Sequence, residues 1–272
     1  MNNRTNNSVM NNRSSNSKTM LNRVRDFRDS DSTTVQVIKI ALVGLIVLSI
    51  LYLIKYFIMY QYNKKLQAPY IVRGTKNAKN SLVVAQDPSN VDSVTLYRSD
   101  NEEGAEFTYS LWILIDNLQY KQGEEKHVFH KGNKTGNPNK APGVYILKNE
   151  NTLRIYMNTF ENSNEHVDIK NIPVRKWIHL AIVLNHKYLD IYFNGYLKKR
   201  HEFSSLPRQN YGDLWVNLFG GFDGYISRFR YYKYALNYKE VEAIVREGPS
   251  KDACGDTGEY PPYLDDAWWF DM

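Results

Sequence analysis

The chain has 272 residues, a formal net charge of +6 and one cysteine, Cys254. A single cysteine excludes an intrachain disulfide framework, and this length allows one large or two small domains. Basic residues exceed acidic ones by three over residues 1–34 and by eight over 35–250, whereas acidic residues exceed basic ones by five over 251–272. Because nucleic-acid binding needs positive charge concentrated on one element, this spread argues against a nucleic-acid partner.

The first segment, residues 1–34, is rich in Asn, Ser and Arg and holds almost no large apolar side chain. Such a segment cannot bury enough apolar surface to offset the entropy that it loses on ordering. It is therefore predicted to be a disordered tail.

Residues 35–59 are predicted to form a transmembrane helix. No residue between Ile40 and Ile54 is charged, and Lys39 and Lys55 on either side can extend toward water. At about 1.5 Å per residue, about 20 residues cross a hydrocarbon core of roughly 30 Å, so the segment is long enough. A lipid bilayer is therefore the first expected partner.

The flanks of this segment carry basic residues in nearly equal number, so the positive-inside rule leaves the orientation open. The lone cysteine and the scarcity of glycosylation sequons in the folded part favour a domain that faces the cytosol. Residues 60–80 are polar and basic and are predicted to form a linker beside the membrane.

From Leu82 onward, short apolar runs are separated by turn-forming residues at intervals of roughly 8–12 residues. This spacing is typical of an antiparallel β-sandwich, and residues 81–250 are predicted to be one all-β domain. The runs before residue 175 are Leu82–Gln86, Ser93–Arg98, Phe107–Ile115, His127–Lys131, Gly143–Lys148, Thr152–Phe160 and His166–Lys170.

The strongest local signal is the pair Asn194-Gly195 between two alternating runs. Asn-Gly favours a two-residue turn whose central positions have positive φ, so Tyr188–Phe193 is predicted to pair with Tyr196–Phe203. A second glycine-rich break, at residues 220–224, precedes another alternating run.

The end of the domain is predicted to be a short helix. Asn237 followed by Glu240 is a helix-capping pattern, Val241 and Ile244 would share one apolar face, and Gly248 would stop the helix. Residues 251–272 form an acidic, aromatic tail. Its three consecutive aromatic residues would either pack on the chain's own domain or anchor in a partner's pocket; they are Trp268, Trp269 and Phe270.

Four motifs occur in the order found in a known family. They are Phe107–Trp112, the Trp-x-His strand start Trp177–His179, the hairpin Tyr192–Gly195 and the final strand Gly221–Tyr232. In these motifs the chain resembles the laminin-G-like branch of the concanavalin A-like lectin/glucanase superfamily. The resemblance implies a concanavalin A-like antiparallel β-sandwich, or jelly roll, with a short C-terminal helix. It implies structural roles for Trp112, Trp177, His179, Asn194, Gly195, Gly221 and Gly224.

Enzymatic activity is not predicted, and no catalytic residue is assigned. Glycoside hydrolases of that superfamily place paired carboxylates on one strand in the pattern E-x-D-x-x-E. This pattern is missing from the chain, and the nearest group of Glu161, Glu165 and Asp168 spans a turn.

No cofactor or metal ligand is predicted, with calcium as the open alternative. His127 and His130 are three positions apart on a predicted strand, so they are expected to face opposite sides and not to share an ion. Related domains can bind calcium through loop carboxylates and carbonyls. The residues available for this are Asp213, Asn217 and Asp223, although nothing in the sequence sets a cage.

Binding is the remaining function. Tyr211, Trp215 and Asn217 could contact a glycan, because aromatic faces stack on sugars and amides bind their hydroxyls. Trp112 and Trp177 are expected to lie in the core instead, since their strand neighbours are apolar.

These elements together predict a non-enzymatic, single-pass membrane protein whose β-sandwich is a protein-interaction or structural module. An Asn-rich tail, one anchor and a laminin-G-like domain also resemble membrane-associated structural proteins of large DNA viruses. That resemblance implies a minor capsid component that tethers an inner virion membrane to an overlying protein shell, with the domain facing the cytosol or the shell. The alternative is a cell-surface or virion lectin that binds glycans.

Overall fold

The computed structural model describes residues 22–23, 25–26, 33–90, 93–99 and 104–252. The predicted tail 1–34 lies almost entirely outside these residues. The predicted tail 251–272 does so too from Ala253 onward, and with it Cys254, Trp268, Trp269 and Phe270. The chain divides into two compact units, residues 1–62 and 63–272.

Helix α1 (Thr33–Gln67) contains the segment predicted to cross a membrane. Its section Thr33–Lys64 is long and apolar enough to span a bilayer, and none of its most apolar part is buried. A helix that forms the core of a globular domain would be mostly covered by protein. The apolar side chains of α1 are exposed on every side instead.

Within the described residues, twelve strands form two antiparallel six-stranded sheets. Sheet A has the order β1-β12-β3-β8-β9-β10, and sheet B has the order β2-β11-β4-β5-β6-β7. The predicted β-sandwich is confirmed. The strands are β1 (Tyr70–Asn77), β2 (Leu82–Val84), β3 (Glu106–Asn117), β4 (Lys126–Gly132), β5 (Lys140–Ile146), β6 (Thr152–Met157), β7 (Glu165–Lys170), β8 (Trp177–Asn185), β9 (Tyr188–Phe193), β10 (Tyr196–Glu202), β11 (Leu214–Val216) and β12 (Asp223–Tyr232).

The main core lies between the inner faces of the two sheets. Phe129 of sheet B meets Phe229 of sheet A with ring centroids 4.7 Å apart, and Tyr109 of sheet A lies 5.4 Å from Phe129. All three rings are fully buried. Interdigitated aromatic and branched side chains of this kind supply most of the apolar burial that holds two sheets together.

The stretch 60–80, predicted as a linker, is regular structure instead. Helix α1 continues to Gln67, and strand β1 begins at Tyr70 as the first strand of sheet A. The N–H of Lys233, which follows β12, donates to the carbonyl of Gln67 over 2.9 Å, and both residues belong to the second unit. Sequence alternation failed to reveal β1, because only Val72 is a large buried apolar residue in it.

The run Ser93–Arg98, predicted as a strand, has no ladder partner. The side chain of Gln86 holds it instead, since its Oε1 accepts the N–H of Leu96 over 3.0 Å. The amide of Gln86 also donates to the carbonyl of Val94 over 3.0 Å. The partly buried Gln86 side chain therefore makes two of the bonds that a neighbouring strand would make, and apolar alternation cannot reveal this.

The hairpin at Asn194-Gly195 is confirmed. Phe193 pairs with Tyr196, and both turn residues have positive φ, 49° and 86°. The side chain of Asn194 also accepts the N–H of His179 over 2.8 Å, so the turn is bonded to the adjacent strand β8. Asn194 therefore has two roles, since it adopts the positive φ of the turn and also bonds the turn to β8.

Helix α2 (Tyr238–Glu247) covers the outer face of sheet A. Asn237 and Glu240 form the predicted reciprocal cap, with the Asn237 side chain accepting the Glu240 N–H over 3.1 Å. Beneath the helix, Trp112 and Trp177 are buried with Val245 packed against them. Both Trp residues are thus buried as expected, although in a separate cluster outside the space between the sheets.

Candidate functional site

The outer face of sheet B carries two cross-strand rows of chemically active side chains. We call these residues, together with Lys140 at the start of β5, the sheet B face. The first row runs across β11, β4, β5, β6 and β7 through Trp215, His130, Gly143, Tyr156 and His166. The second row runs across β4 to β7 through His127, Tyr145, Arg154 and Asp168.

Lys140 contacts two aromatic residues of this face. Its ammonium lies 3.9 Å from the ring centroid of Tyr156 and 5.9 Å from that of Tyr145. The two Tyr rings meet edge to face at 5.6 Å. Burial lowers the pKa of Lys140 and raises that of Tyr145. The result is a half-open platform of ring faces beside a cation, which suits a ligand with both apolar and polar surface.

The histidine pair corrects a prediction from the sequence. His127 and His130 were expected on opposite sides of the strand, but a register shift between His127 and Phe129 adds a residue to β4. Both rings therefore lie on the outer face, with His127 Nε2 and His130 Nδ1 2.6 Å apart. A bulge of this kind breaks the two-residue period on which the prediction depended.

Hydrogen bonds fix the proton positions of this pair. The N–H of Leu218 donates to His127 Nδ1 over 2.9 Å, so neutral His127 carries its proton on Nε2 and donates to His130. His130 then donates from Nε2 to the carbonyl of Asn133 over 2.7 Å. Burial lowers the pKa of His127 to about 3 and also lowers that of His130, which keeps both rings neutral at pH 7.

Two of the three residues considered for calcium bond to other groups in the structure. Asp213 accepts the backbone N–H of Gln86 over 3.0 Å, and Asp223 forms an ion pair with Lys79 at 2.6 Å. No group of three or more His, Cys, Asp or Glu side chains able to hold a metal occurs in the part of the chain that the structure describes.

The three residues considered for glycan contact occupy different environments. Trp215 lies on the sheet B face, half-buried, with its indole N–H donating to the carbonyl of Gly132 over 3.0 Å. Tyr211 is 76% exposed and stacks with the guanidinium of Arg98 at 5.2 Å. Asn217 is fully buried in a left-handed backbone conformation, so it cannot touch a ligand on the surface.

Two of the three carboxylates nearest to a glycosidase pattern, Asp168 and Glu165, are engaged. Asp168 accepts two bonds of 2.7 Å from Arg154, and these bonds lower its pKa. Burial acts to raise the pKa of Glu165, but hydrogen bonds from Ser204 and its neighbours outweigh it and lower that pKa. Since a general acid needs a raised pKa, neither group is prepared for glycoside hydrolysis.

A second surface lies among the loops at one end of the sandwich. We call it the Arg98 rim; its residues are Arg98, Phe160, Leu206, Arg208 and Tyr211. The first four border a cavity of about 300 Å³, and Tyr211 contacts Arg98 beside it. Phe160 is 68% exposed, and its N–H donates to the carbonyl of Leu206 over 3.1 Å. Exposed aromatic residues beside arginines are the composition that protein interfaces favour at their energetic centres.

Comparisons with known proteins concern the β body. The family model of the concanavalin A-like lectin/glucanases superfamily matches residues 88–242. No curated protein matches the chain.

Three solved structures are similar to part of this chain. The receptor binding domain of botulinum neurotoxin D is 14% identical over 62% of this chain and 44% of that one, with a TM-score of 0.46. The mosaic serotype C/D domain is 13% identical over 66% and 45%, with a TM-score of 0.49. The binding domain of Paraclostridial Mosquitocidal Protein 1 is 19% identical over 66% and 46%, with a TM-score of 0.47. The chain thus spans less than half of each.

Proposed function

Because the chain belongs to the concanavalin A-like lectin/glucanases superfamily, we propose that it is a single-pass membrane protein with a non-enzymatic β-sandwich that binds a structural partner. The observation that carries this proposal is the bare apolar surface of helix α1. A bilayer covers such a surface at no cost, whereas water does not. The engaged carboxylates support a role through contact rather than through hydrolysis.

Membrane anchoring is tested by extraction with alkaline carbonate. The full chain should stay with the membrane pellet, and Val47→Arg together with Leu48→Arg should release it. An arginine at the centre of a transmembrane helix costs about 2.5–3.5 kcal/mol by insertion scales, so two together cancel most of what the remaining apolar residues supply.

The matched control for this test is Tyr62→Arg together with Asn63→Arg, which adds the same two charges near the end of the apolar section, where they can reach the interface. This variant should stay in the pellet. Release of the unchanged chain by carbonate would contradict the anchor. Protease protection of sealed vesicles would then assign the side of the membrane on which the sandwich lies.

The partner we favour is another structural protein, with the Arg98 rim as the contact surface. The capsid-tether role implied by the viral resemblance is the most specific form of this proposal, in which the partner is a shell protein. Crosslinking in the native membrane should capture one dominant partner. Phe160→Ala and Tyr211→Ala should reduce its yield at least tenfold, whereas Tyr188→Ala, which removes an exposed tyrosine from β9, should not.

A second candidate function is glycan binding by the sheet B face. The observation that favours it is the platform of Trp215, Tyr145 and Tyr156 beside Lys140. A glycan array probed with the full chain should then give signals that Tyr156→Ala abolishes and Tyr188→Ala leaves unchanged. An array without signal, combined with a captured protein partner, would reject this second function and retain the first.

A further inference from the structure

An apolar groove of about 580 Å³ lies between the β9–β10 hairpin and helix α2. Tyr196 and Leu197 of β10 line one side, and Tyr238 of α2 lines the other. These three side chains are 74%, 48% and 52% exposed, although each is large and apolar. A concave apolar surface of this kind is a place where a protein binds something. We call it the α2 groove.

One polar group in the wall of the groove lacks a partner. Trp112 lines the α2 groove and is only 2% exposed, and its indole N–H bonds to nothing in the described residues. Buried N–H groups are nearly always paired in native proteins. An occupant that presents an oxygen acceptor to this wall would supply the missing bond.

The charged side chains of the groove select the sign of its occupant. Lys198 lines it and has no ion-pair partner among the described residues. Arg246 lines it too, and its one described carboxylate partner is Glu242, at 2.6 Å. The α2 groove thus holds two cations and one carboxylate, which favours an acidic occupant.

The chain itself contains a segment with this chemistry. Residues 253–272 hold five acidic side chains, five aromatic ones and no basic one. The segment begins beside β1, because the carbonyl of Asp252 accepts the Thr75 N–H over 2.7 Å, and β1 lies at the opposite edge of sheet A from β10.

Residues 253–272 are long enough to reach the α2 groove. Sixteen positions separate Asp252 from Trp268. At about 3.3 Å per residue these positions can span roughly 50 Å, whereas the five strand spacings from β1 to β10 take only about 24 Å. The aromatic end of the tail can therefore arrive at the groove on its own molecule.

We propose that Tyr260–Phe270 occupies the α2 groove of the same chain. Its aromatic side chains pack between Tyr196, Leu197 and Tyr238, its carboxylates approach Lys198, and one of its oxygens accepts the Trp112 N–H. This inference goes beyond the proposed function and does not depend on it. It gives the sandwich an internal occupant that an acidic, aromatic segment of another protein would have to displace.

The test uses the full chain in lipid nanodiscs and a fluorescent peptide of residues 256–272. A tail-open variant carries Trp268→Ala, Trp269→Ala and Phe270→Ala, and the peptide should bind it. A docked tail acts at an effective concentration on the order of 1 mM, so with a peptide Kd of about 10 µM the unaltered chain should bind about 100-fold more weakly. Binding to empty nanodiscs is subtracted.

Matched lysine variants locate the binding surface. In the tail-open background, Lys198→Glu should weaken peptide binding at least tenfold. Lys199→Glu, at the next position of β10 but outside the groove lining, should leave it unchanged. Equal binding to the unaltered and tail-open chains, no binding to either, or equal effects of the two lysine variants would each overturn the proposal.

Disulfide trapping gives a readout that does not depend on the tail-open variant. In a Cys254→Ser background, Leu197→Cys and Ala267→Cys should form a disulfide within one chain under mild oxidation. A covalent dimer would instead place the tail on a second copy, and no disulfide at all would remove the tail from the groove. Either result would refute docking on the same molecule, and a melting temperature equal to that of the unaltered chain confirms that the variant is folded.

Discussion

The outer faces of the two sheets differ in what covers them. On sheet A the central strands β3 and β8 are buried on both sides, because helix α2 lies across them. On sheet B the strands β6 and β7 alternate between buried and partly exposed positions. The sequences show the same contrast, since the run FTYSLWILI is almost continuously apolar and TLRIYM alternates. A strand that is apolar on both faces indicates a cover, and an alternating strand indicates an open face.

The largest expected effect follows from this difference. Trp177→Ala removes a buried aromatic residue beneath α2 and should lower the free energy of unfolding by about 3–5 kcal/mol. Tyr156→Ala removes an aromatic residue from the open sheet B face and should cost no more than about 1 kcal/mol. Denaturant unfolding of the full chain in micelles measures both. Equal losses would show that the two faces are covered alike.

Acid should destabilise both faces through their buried histidines. Burial lowers the pKa of His127 and of His179 to about 3, so each binds a proton in the unfolded chain near pH 6.5 but not in the folded one. Because the folded pKa is depressed, stability is complete above pH 6.5 and falls progressively as the pH drops toward 3.

The size of this acid effect follows from the same two pKa values. At pH 5 each of these histidines should cost about 2 kcal/mol relative to pH 7. Unfolding free energies measured at intervals between pH 8 and pH 4.5 test this. A flat profile between pH 7 and pH 5 would mean that these rings are solvated or already charged in the folded chain.

Much of the fold could be predicted from the sequence because alternation and turn chemistry are local signals. The Asn194-Gly195 hairpin and the Asn237–Glu240 cap depend on residues within four positions of each other, and both occur where the sequence indicates them. Strand β1 escaped detection because it is held by distant β12 and has little apolar content of its own. The prediction of a strand at Ser93–Arg98 was wrong, because the Gln86 side chain bonds backbone groups of Val94 and Leu96 that a ladder partner would otherwise bond.

The site was less predictable because it depends on irregularities and on packing between distant segments. The bulge in β4 brings His127 and His130 together, and no residue type in the sequence predicts a bulge at that position. The rows of the sheet B face need the register of five strands, which the sequence does not reveal. Trp215 could be identified as a surface aromatic, but the burial of Asn217 depends on a left-handed backbone between β11 and the turn that follows.

The cap of helix α2 should have an intermediate effect. Asn237→Ala removes the side chain that accepts the Glu240 N–H and should cost about 1 kcal/mol. A loosened helix uncovers Trp112 and Trp177, so tryptophan fluorescence should shift to longer wavelength before global unfolding. Lys239→Ala, on the exposed side of the same helix turn, is the control. If both variants behaved alike, the Asn237 cap would not be what keeps helix α2 packed on sheet A.

The smallest effect is expected from the ion pair of the open face. Arg154 and Asp168 form two bonds of 2.7 Å, but their side chains are 24% and 28% exposed, so water competes for both charges. A double-mutant cycle with Arg154→Ala and Asp168→Ala should give a coupling energy below about 1 kcal/mol that decreases further in high salt. A coupling of several kcal/mol would mean that the pair is shielded from water. Sheet B would then be a covered face like that of sheet A, and the search for a ligand would move to the edges of the sandwich.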